Sequence, residues 1–230
     1  MNFFEIDKSN YRNLYKHKII GVDEVGVGDY FAPLVACAVY IPPVSIQVLN
    51  QIGIKDSKKL SDKKIRELAK TIKEHVWFSL NHLSAKGYNN LTANDKYNAN
   101  ELKFFLHTKC INDLENRINF ELVIVIDQYT TLNSIKRYHQ KIFNDNWAQL
   151  KEYKNDQYFI NKAENYFLAV ACASILARDF LLDYMDKISQ KYNFNFPLGA
   201  SAQVKEKVKE FASIHGEKQL YEVCKKSFKI

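Results

Sequence analysis

The sequence predicts an α/β fold with three layers, in which a mixed β-sheet lies between two layers of helices. Apolar segments of strand length alternate along the chain with longer segments of helical periodicity. The first two predicted strands are joined by a short turn, which favours an antiparallel pair within the sheet. With 230 residues, 47% of them hydrophobic, the chain is long enough for one large domain. We expect that domain over 17–230, after a short N-terminal extension over 1–16.

The strands are predicted from apolar runs and from the residues that end them. Gly26 and Gly28 break the first strand, and Pro42 stops the second. The residues between the acids at 121 and 127 are all apolar, which is typical of a strand buried on both faces. The predicted strands cover 17–23, 33–41, 76–83, 121–127 and 158–160.

The helices are predicted from apolar stripes and start signals. Ser61 is a suitable N-cap for a helix whose buried stripe is Ile65, Leu68, Ala69 and Ile72. The long helix that begins at Glu164 is rich in alanine in its first half, which lets it lie close to the sheet. The predicted helices cover 61–74, 99–116, 132–149 and 164–188, with two short helices after them and a Tyr/Asn-rich loop after residue 83.

Composition limits the partners and the location of the protein. A net charge of +7 favours a polyanion such as nucleic acid, although lysine-rich solvated helix faces give the same charge. No apolar run is long enough to span a membrane, and the N-terminus lacks the pattern of a secretory signal, so we expect a cytoplasmic protein. Widely spaced cysteines argue against a zinc site and favour buried, reduced thiols. They are Cys37, Cys110, Cys172 and Cys224.

Four acids at the ends of apolar segments are the candidate chemical groups: Asp23, Glu24, Asp127 and Glu164. Burying a carboxylate is costly unless another group compensates its charge. Two divalent metal ions compensate such a cluster and supply hydrolysis of a phosphodiester. Carboxylate and water ligands suit Mg²⁺ or Mn²⁺. Each acid also has a simpler interpretation, as a solvated turn residue or a helix cap.

The doublet Asp23–Glu24 raises a geometric difficulty, because neighbours in a regular strand point to opposite faces. Both carboxylates reach one site only if the strand ends or bulges there, and Gly26 and Gly28 make such a break plausible. Asp127 lies at the carboxyl end of a predicted central strand, where α/β sheets place their ligands.

Two polar segments are candidates for phosphate or sugar contacts, although both are also ordinary surface material. The first contains Lys55, Ser57, Lys58 and Lys59, just before a helix. The second contains Asn98, Asn100, Lys103 and His107.

In order along the chain, these segments resemble the type 2 ribonuclease H family, and within it most closely ribonuclease HIII. The matching segments are Gly-Val-Asp-Glu-Val-Gly-Val-Gly at 21–28, Lys-Asp-Ser-Lys-Lys-Leu at 55–60, Asn-Ala-Asn-Glu-Leu-Lys at 98–103 with His107, Val-Ile-Asp-Gln at 125–128 and Lys-Ala-Glu at 162–164. The alanine-rich segment 168–178 also matches, and the tail at 223–229 matches more loosely. The resemblance covers about residues 18–229.

The resemblance implies a ribonuclease H-like fold and cleavage of the RNA strand of RNA–DNA hybrids. It also implies that the four acids bind two metal ions, and that cleavage leaves 5′-phosphate and 3′-hydroxyl ends. It also implies that the backbone of Gly26, Val27 and Gly28 contacts the RNA. Phosphate and sugar contacts are expected from Lys55, Ser57, Lys58, Lys59, Asn98, Asn100 and Lys103. We expect a monomer that uses no small organic cofactor.

A few positions distinguish the two branches of the family. Ribonuclease HII usually has arginine between the glycines, where this chain has Val27, and takes its fourth acid from the long helix, where this chain has Leu182. The HIII branch uses a glutamate before that helix, which fits Glu164, with Asp179 as a weaker alternative. HIII enzymes usually carry an extra N-terminal substrate-binding domain, but about 20 residues precede the doublet here. The resemblance therefore implies weaker hybrid affinity than in a full-length relative.

Two rival functions remain open from the sequence. One is cleavage at a single ribonucleotide within duplex DNA, as in ribonuclease HII, against which the missing arginine argues. The other is hybrid binding without turnover, against which the presence of all four acids argues. A DNA-cleaving relative on the same fold is a poorer third option.

Overall fold

A six-stranded mixed sheet with helices on both faces forms the fold, as predicted. The computed structural model describes residues 2–7, 9–54 and 60–226. The strands are β1 (Phe3–Glu5), β2 (Ile19–Val25), β3 (Leu34–Tyr40), β4 (Trp77–Leu83), β5 (Val123–Asp127) and β6 (Gln157–Ile160). The helices are α1 (Ile46–Gln51), α2 (Asp62–His75), α3 (Ala85–Thr92), α4 (Ala99–Glu115), α5 (Leu132–Asp145), α6 (Leu168–Tyr192) and α7 (Ala202–Val223).

The order of the strands, β1-β6-β5-β2-β3-β4, places β2 and β5 at the centre. β2 and β3 pair antiparallel, as the short connecting turn predicted, and β4 pairs antiparallel with β3. β5 is parallel to β2 on one side and to β6 on the other. Helices cover both faces of β5, which explains why its first four residues, 123–126, are all apolar.

Alternation along β3 assigns a face to each layer of helices. Val35, Cys37 and Val39 pack in the core with α2, α6 and α7. Leu34 and Ala36 pack in the second core with α4 and α5. Because side chains of a strand alternate between faces, this single strand contributes to both cores.

Helix α2 confirms its sequence prediction closely. The Ser61 hydroxyl accepts a hydrogen bond from the Lys64 amide at 3.3 Å, which caps the first turn. The predicted stripe is buried: Ile65, Leu68, Ala69 and Ile72.

Helix α6 lies in direct contact with β2 at Gly21. A Cβ atom at this position would stand 2.3 Å from the Val170 nitrogen and 2.4 Å from the Ala169 carbonyl carbon. Real carbon atoms do not approach so closely, so the contact requires glycine on the strand and small residues on the helix. The alanine-rich sequence thus predicted the close packing correctly.

The predicted start of the long helix at Glu164 is wrong. α6 begins at Leu168, and Glu164 lies in a separate 3₁₀ turn, Ala163–Asn165. Lys162 has left-handed backbone angles (φ 58°) and Phe167 is extended, so the chain changes direction twice before the helix starts.

Three smaller differences concern the ends and the loops. The expected loop after β4 is helix α3, whose N-cap Ser84 accepts a hydrogen bond from the Gly87 amide at 3.2 Å. The two expected closing helices form one element, α7, which is interrupted at Gly216 (φ 82°). Phe3–Glu5 joins the sheet beside β6, so part of the extension at 1–16 packs with the main domain. The boundary at 16/17 stays a prediction.

The cysteines are free and buried, as expected. Burial raises the pKa of Cys110 and of Cys172 to about 12, so both are protonated thiols at neutral pH. Among the residues that the structure describes, none of the helices is long and apolar enough to cross a membrane.

The contact between α6 and β2 predicts a large effect of Gly21→Ala. The added methyl group forces the helix away from the sheet, and we expect a loss of about 3 kcal/mol in the free energy of unfolding, measured in urea. Gly87→Ala is the matched control, because its Cβ would lie 3.5 Å from its nearest neighbour. That control should be neutral or up to about 1 kcal/mol more stable. Equal stabilities for the two variants would contradict the close packing.

Candidate metal centre

Asp23 and Asp127 lie beside each other on neighbouring parallel strands, Asp127 as the last residue of β5 and Asp23 two residues before the end of β2. The recorded register of β2 and β5 ends at the pair Val22–Ile126, so these acids are the next residue on each strand. Val125 packs with Val170 of α6, and Asp127 two residues later lies on the same face. Burial raises the pKa of Asp23 well above its usual range, and the charges of Glu24 and Asp127 raise it further. The two aspartates therefore form a crowded pair on the α6 side of the sheet.

Glu24 lies on the opposite face and contacts two residues of α4. The Lys103 ammonium lies 3.1 Å from Oε1 of Glu24, and Nε2 of His107 lies 3.0 Å from Oε2. Burial alone would raise the pKa of Glu24, but the contacts with His107 and Lys103 outweigh it and lower the pKa to about 2. Lys103 also lies 4.2 Å from the centre of the Tyr129 ring. Glu24 is therefore a stable carboxylate.

The expected break of the strand at the doublet is wrong. β2 stays paired with β3 up to Val25–Val35, so Asp23 and Glu24 keep the alternation of a regular strand. The break comes one residue later, at Gly26, which has φ +86° and whose Cβ would lie 1.9 Å from the Pro33 carbonyl oxygen. Within 2–7, 9–54 and 60–226, no three acidic, His or Cys side chains already form a metal-binding cluster. The metal set of four acids stays a prediction.

Glu164 is brought next to Asp127 by the turn that follows β6. The Ala163 amide donates a hydrogen bond to Oδ1 of Asp127 at 3.0 Å, which anchors the turn to the end of β5. Oε2 of Glu164 is buried, and no described residue donates a hydrogen bond to it. A buried acceptor without a partner costs free energy unless another group satisfies it.

The chemistry of these groups fits divalent cations. Asp23 and Asp127 crowd negative charge on one face, and Glu164, in the turn that the Ala163 amide anchors to Asp127, has a buried oxygen without a donor among the described residues. A bound cation relieves both costs, because it favours the ionised form of Asp23 and gives Oε2 of Glu164 a ligand role. Carboxylate oxygens are the ligands that Mg²⁺ and Mn²⁺ prefer.

Two positions in α6, Leu182 and Asp179, were compared with Glu164 as the source of the fourth metal-binding acid. The structure gives both of them other roles. Leu182 is buried in the core between α6 and the neighbouring helices. Asp179 is also buried, and its Oδ2 lies 2.7 Å from the Lys73 ammonium of α2. Asp179 therefore already has a cationic partner, whereas the buried oxygen of Glu164 has none among the described residues.

Most of the predicted substrate contacts fall on two segments. In the glycine loop, Val27 is half-buried and Gly28 is exposed. Asn98 caps α4: its side chain accepts from the Asn100 and Glu101 amides at 3.0 Å. The side chains of Asn98 and Glu101 thus form a capping box, the alternative that the sequence left open. The other predicted contacts, Lys55, Ser57, Lys58 and Lys59, lie outside the described residues.

A cavity of about 760 Å³ connects the glycine loop with the start of α4. Its walls include Val27, Gly28 and Asn98 together with Lys141 and Tyr221. The structure therefore places Asn98 near the glycine loop, while Lys103 lies on Glu24.

The sequence did not predict the contacts of two residues, His107 and Lys225, that the structure places beside proposed site residues. His107 was noted only as part of a polar segment, although it follows Lys103 by four residues and so lies on the same helix face. That spacing could have linked both residues to one acid. Lys225 is fully buried beneath the glycine loop. Only its place in the loosely matching tail pointed to it.

Comparison with known proteins gives consistent matches. The family model described as Ribonuclease HII matches residues 20–230. A Ribonuclease HIII of Bacillus mycoides (strain KBAB4) is 36% identical over an alignment of 211 positions, which covers 86% of this chain and 65% of that protein. The chain thus spans about two thirds of the length of that relative.

Two solved structures show the same fold. Bst-RNase HIII in complex with Mn²⁺ superposes with a TM-score of 0.85 at 30% identity, covering 94% of this chain and 68% of that one. The ribonuclease H2 from Pyrococcus horikoshii OT3 superposes with a TM-score of 0.74 at 26% identity, covering 92% and 94%. The HIII structure is therefore the more similar of the two.

The contacts of Glu24 predict that Lys103→Met is strongly destabilising. The change leaves a buried carboxylate with one partner fewer, at a cost of about 3 kcal/mol in the free energy of unfolding at pH 7. Because the folded-state pKa of Glu24 lies below its ordinary value of 4.5, this stabilisation is present above pH 4.5 and is lost as the pH falls toward 2. Urea unfolding at several pH values should show the difference shrinking in that window.

Lys109→Met is the matched control on the same helix. The ion pair of Lys109 with Asp113 is exposed, so its loss should cost no more than about 1 kcal/mol. If both variants lose the same stability at pH 7, the burial of the Glu24 contacts does not matter energetically.

Proposed function

The chain belongs to the ribonuclease HII family, and we propose from this premise that it hydrolyses the RNA strand of RNA–DNA hybrids. The proposal rests mainly on one observation. Asp23, Asp127 and the turn that contains Glu164 lie together on the side of the sheet where the central parallel strands have their carboxyl ends. Ligands of α/β folds bind at this place, outside the carboxyl ends of parallel strands. The positive net charge of +7 suits a polyanionic substrate.

The metal ligands in this proposal are the four acids. Asp23 and Asp127 hold two ions, Mg²⁺ or Mn²⁺, and Glu24 and Glu164 complete their coordination. Because β2 is unbroken at the doublet and holds Glu24 on its α4 face, this role requires the Glu24 side chain to turn from Lys103 and His107 toward Asp23 when the ions bind. When bound, such ions activate water and stabilise the leaving 3′-oxygen, which gives 5′-phosphate and 3′-hydroxyl ends. The similar Bst-RNase HIII structure is a complex with Mn²⁺, which supports a divalent metal here but does not choose between Mg²⁺ and Mn²⁺.

Glu24 has a particular position in this arrangement. Its contacts with Lys103 and His107 keep it ionised on the α4 face of β2, so it enters coordination without first losing a proton. Lys103 then serves the acid site through Glu24, in addition to its proposed contact with substrate phosphate.

Substrate recognition is assigned to the glycine loop and the polar segments. The backbone of Gly26, Val27 and Gly28 contacts the 2′-hydroxyl groups that distinguish RNA from DNA. Phosphate and sugar contacts come from Lys55, Ser57, Lys58, Lys59, Asn98, Asn100 and Lys103. Asn98 keeps its amide nitrogen for this purpose, because its oxygen caps α4. We further propose that the protein acts as a monomer in the cytoplasm, without an organic cofactor.

The HIII branch is favoured over the HII branch by three observations. Val27 stands where HII enzymes usually have arginine, and the Bst-RNase HIII structure is the more similar of the two solved structures. Glu164 beside Asp127 supports the same choice, since Leu182 is buried in the core. Cleavage at single ribonucleotides in DNA is therefore the second candidate.

Asp127→Asn is the direct test of the active site. Loss of a metal-binding carboxylate should lower the rate of hybrid cleavage by at least ~100-fold, since even groups that only support metal ligands cost 10–100-fold. The assay uses a labelled RNA–DNA hybrid with Mg²⁺ and, separately, with Mn²⁺. Asp186→Asn removes an exposed carboxylate of α6 and should leave the rate unchanged. Near wild-type cleavage by Asp127→Asn would falsify the assignment.

The same assay on three substrates separates the candidate functions. A hybrid with a long RNA tract should be cleaved faster than a DNA duplex with one ribonucleotide, and an all-DNA duplex should not be cut. The reverse preference supports the HII-like function. Binding of the hybrid without any metal-dependent product supports a protein that binds but does not cleave.

Glu164→Gln and Asp179→Asn together identify the fourth acid. Glu164→Gln should weaken Mn²⁺ binding by 10–100-fold, measured by calorimetry without substrate, because the buried ligand oxygen loses its charge. Asp179→Asn should leave Mn²⁺ affinity unchanged and reduce stability, because Lys73 loses its partner. The opposite result would move the fourth ligand to Asp179.

A further inference from the structure

Lys225 is a lysine without exposure to solvent, which is rare because burying an ammonium group is costly. Its ammonium donates a hydrogen bond to the Gly26 carbonyl oxygen, at the start of the glycine loop. The ring of Tyr88 lies 5.3 Å from the same nitrogen. Burial lowers the pKa of Lys225 to about 8, although the charge of Asp29 acts in the opposite direction. Holding the Lys225 ammonium beneath the glycine loop therefore costs free energy of desolvation.

The docking of the tail does not require that ammonium. The Lys225 amide donates to the Tyr30 carbonyl at 2.8 Å. The Asn89 amide group donates to the Cys224 carbonyl at 2.8 Å and accepts from the Lys226 amide at 2.8 Å. These main-chain contacts fix the segment from both sides. The buried charge is therefore left with one specific partner in the backbone, the Gly26 carbonyl.

The geometry of the peptide bond converts this contact into an orientation of the loop. The bond between Gly26 and Val27 is trans, so its C=O and N–H groups point in opposite directions. Because the carbonyl points inward to Lys225, the Val27 N–H points away from the protein interior. Among the described residues, neither the Val27 amide nor the Gly28 amide has an acceptor. Within the described part of the chain, these two N–H groups thus have no protein acceptor, and Gly28 is exposed to solvent.

We propose that Lys225 is a positioning residue that holds the Gly26–Gly28 loop so that the Val27 and Gly28 amides face the RNA strand. The inference rests on the proposed function, since it assigns a cause to the orientation of the proposed substrate loop. Gly26 supplies the required backbone angle, and Lys225 selects the direction of the peptide that follows it. Without the ammonium, the carbonyl has no buried donor, and the peptide is free to rotate.

The test compares Lys225→Met with Lys209→Met, which removes one exposed charge from α7. We expect Lys225→Met to raise KM for the hybrid roughly tenfold, with kcat within twofold of wild type, because the lost contacts are hydrogen bonds of substrate binding. Mn²⁺ affinity, measured by calorimetry, should stay within twofold, since the acid ligands are untouched. Lys209→Met should show neither change. An unchanged KM in Lys225→Met overturns the proposal, and so does a loss confined to kcat.

Two further results keep the outcomes separate. If wild type itself does not cleave the hybrid, the proposed function fails, whereas active wild type with an unaffected Lys225→Met variant refutes only the role of Lys225. If Lys225→Met does not fold, the amide NMR signals of Val27 and Gly28 are followed in wild type during addition of uncleaved hybrid with Ca²⁺. Shifts of both signals with hybrid, and smaller shifts with the all-DNA duplex, support the proposal. Signals that do not move refute it.

Discussion

The contact of α6 with β2 at Gly21 is the constraint on which the arrangement of the acids depends. It fixes the helix against the central strand at backbone distance, two residues before Asp23. Any wider spacing would open the face on which Asp23 and Asp127 lie and admit water between them. Their unfavourable proximity is thus maintained by packing, and the strain on Asp23 is a property of the fold as a whole.

Charge is distributed unequally across the two faces of β2. On the α6 face, Asp23 and Asp127 lie together, and the turn of Glu164 adds a third acid next to Asp127. On the α4 face, Glu24 forms an ion pair with the Lys103 ammonium and contacts the His107 ring. The strand therefore separates a face that attracts cations from a face on which a lysine already pairs with the acid, although Asp23 and Glu24 are neighbours in sequence.

Much of the fold followed from local patterns in the sequence. The cap and buried stripe of α2, the buried β5 and the close packing of α6 depend on residues near each other in the chain, so their signals are readable there. The turn at Glu164 was not readable, because Lys162 adopts left-handed angles without being glycine. The partners of Glu24 and the buried Lys225 were also missed. Each depends on a contact across 79 to 199 residues, which no local pattern encodes.

The direction of β1 determines where the chain enters the sheet. Phe3 pairs with Gln157 and Glu5 with Phe159, so β1 runs parallel to β6 and toward the edge at which the acids lie. Gln157 in turn pairs with Ile124, three residues before Asp127. Phe3 therefore stands about 10 Å below the acids along the strand direction. A segment attached ahead of Phe3 would therefore start on the far side of β1 from the acids, and the length of its connection would determine whether it reaches them.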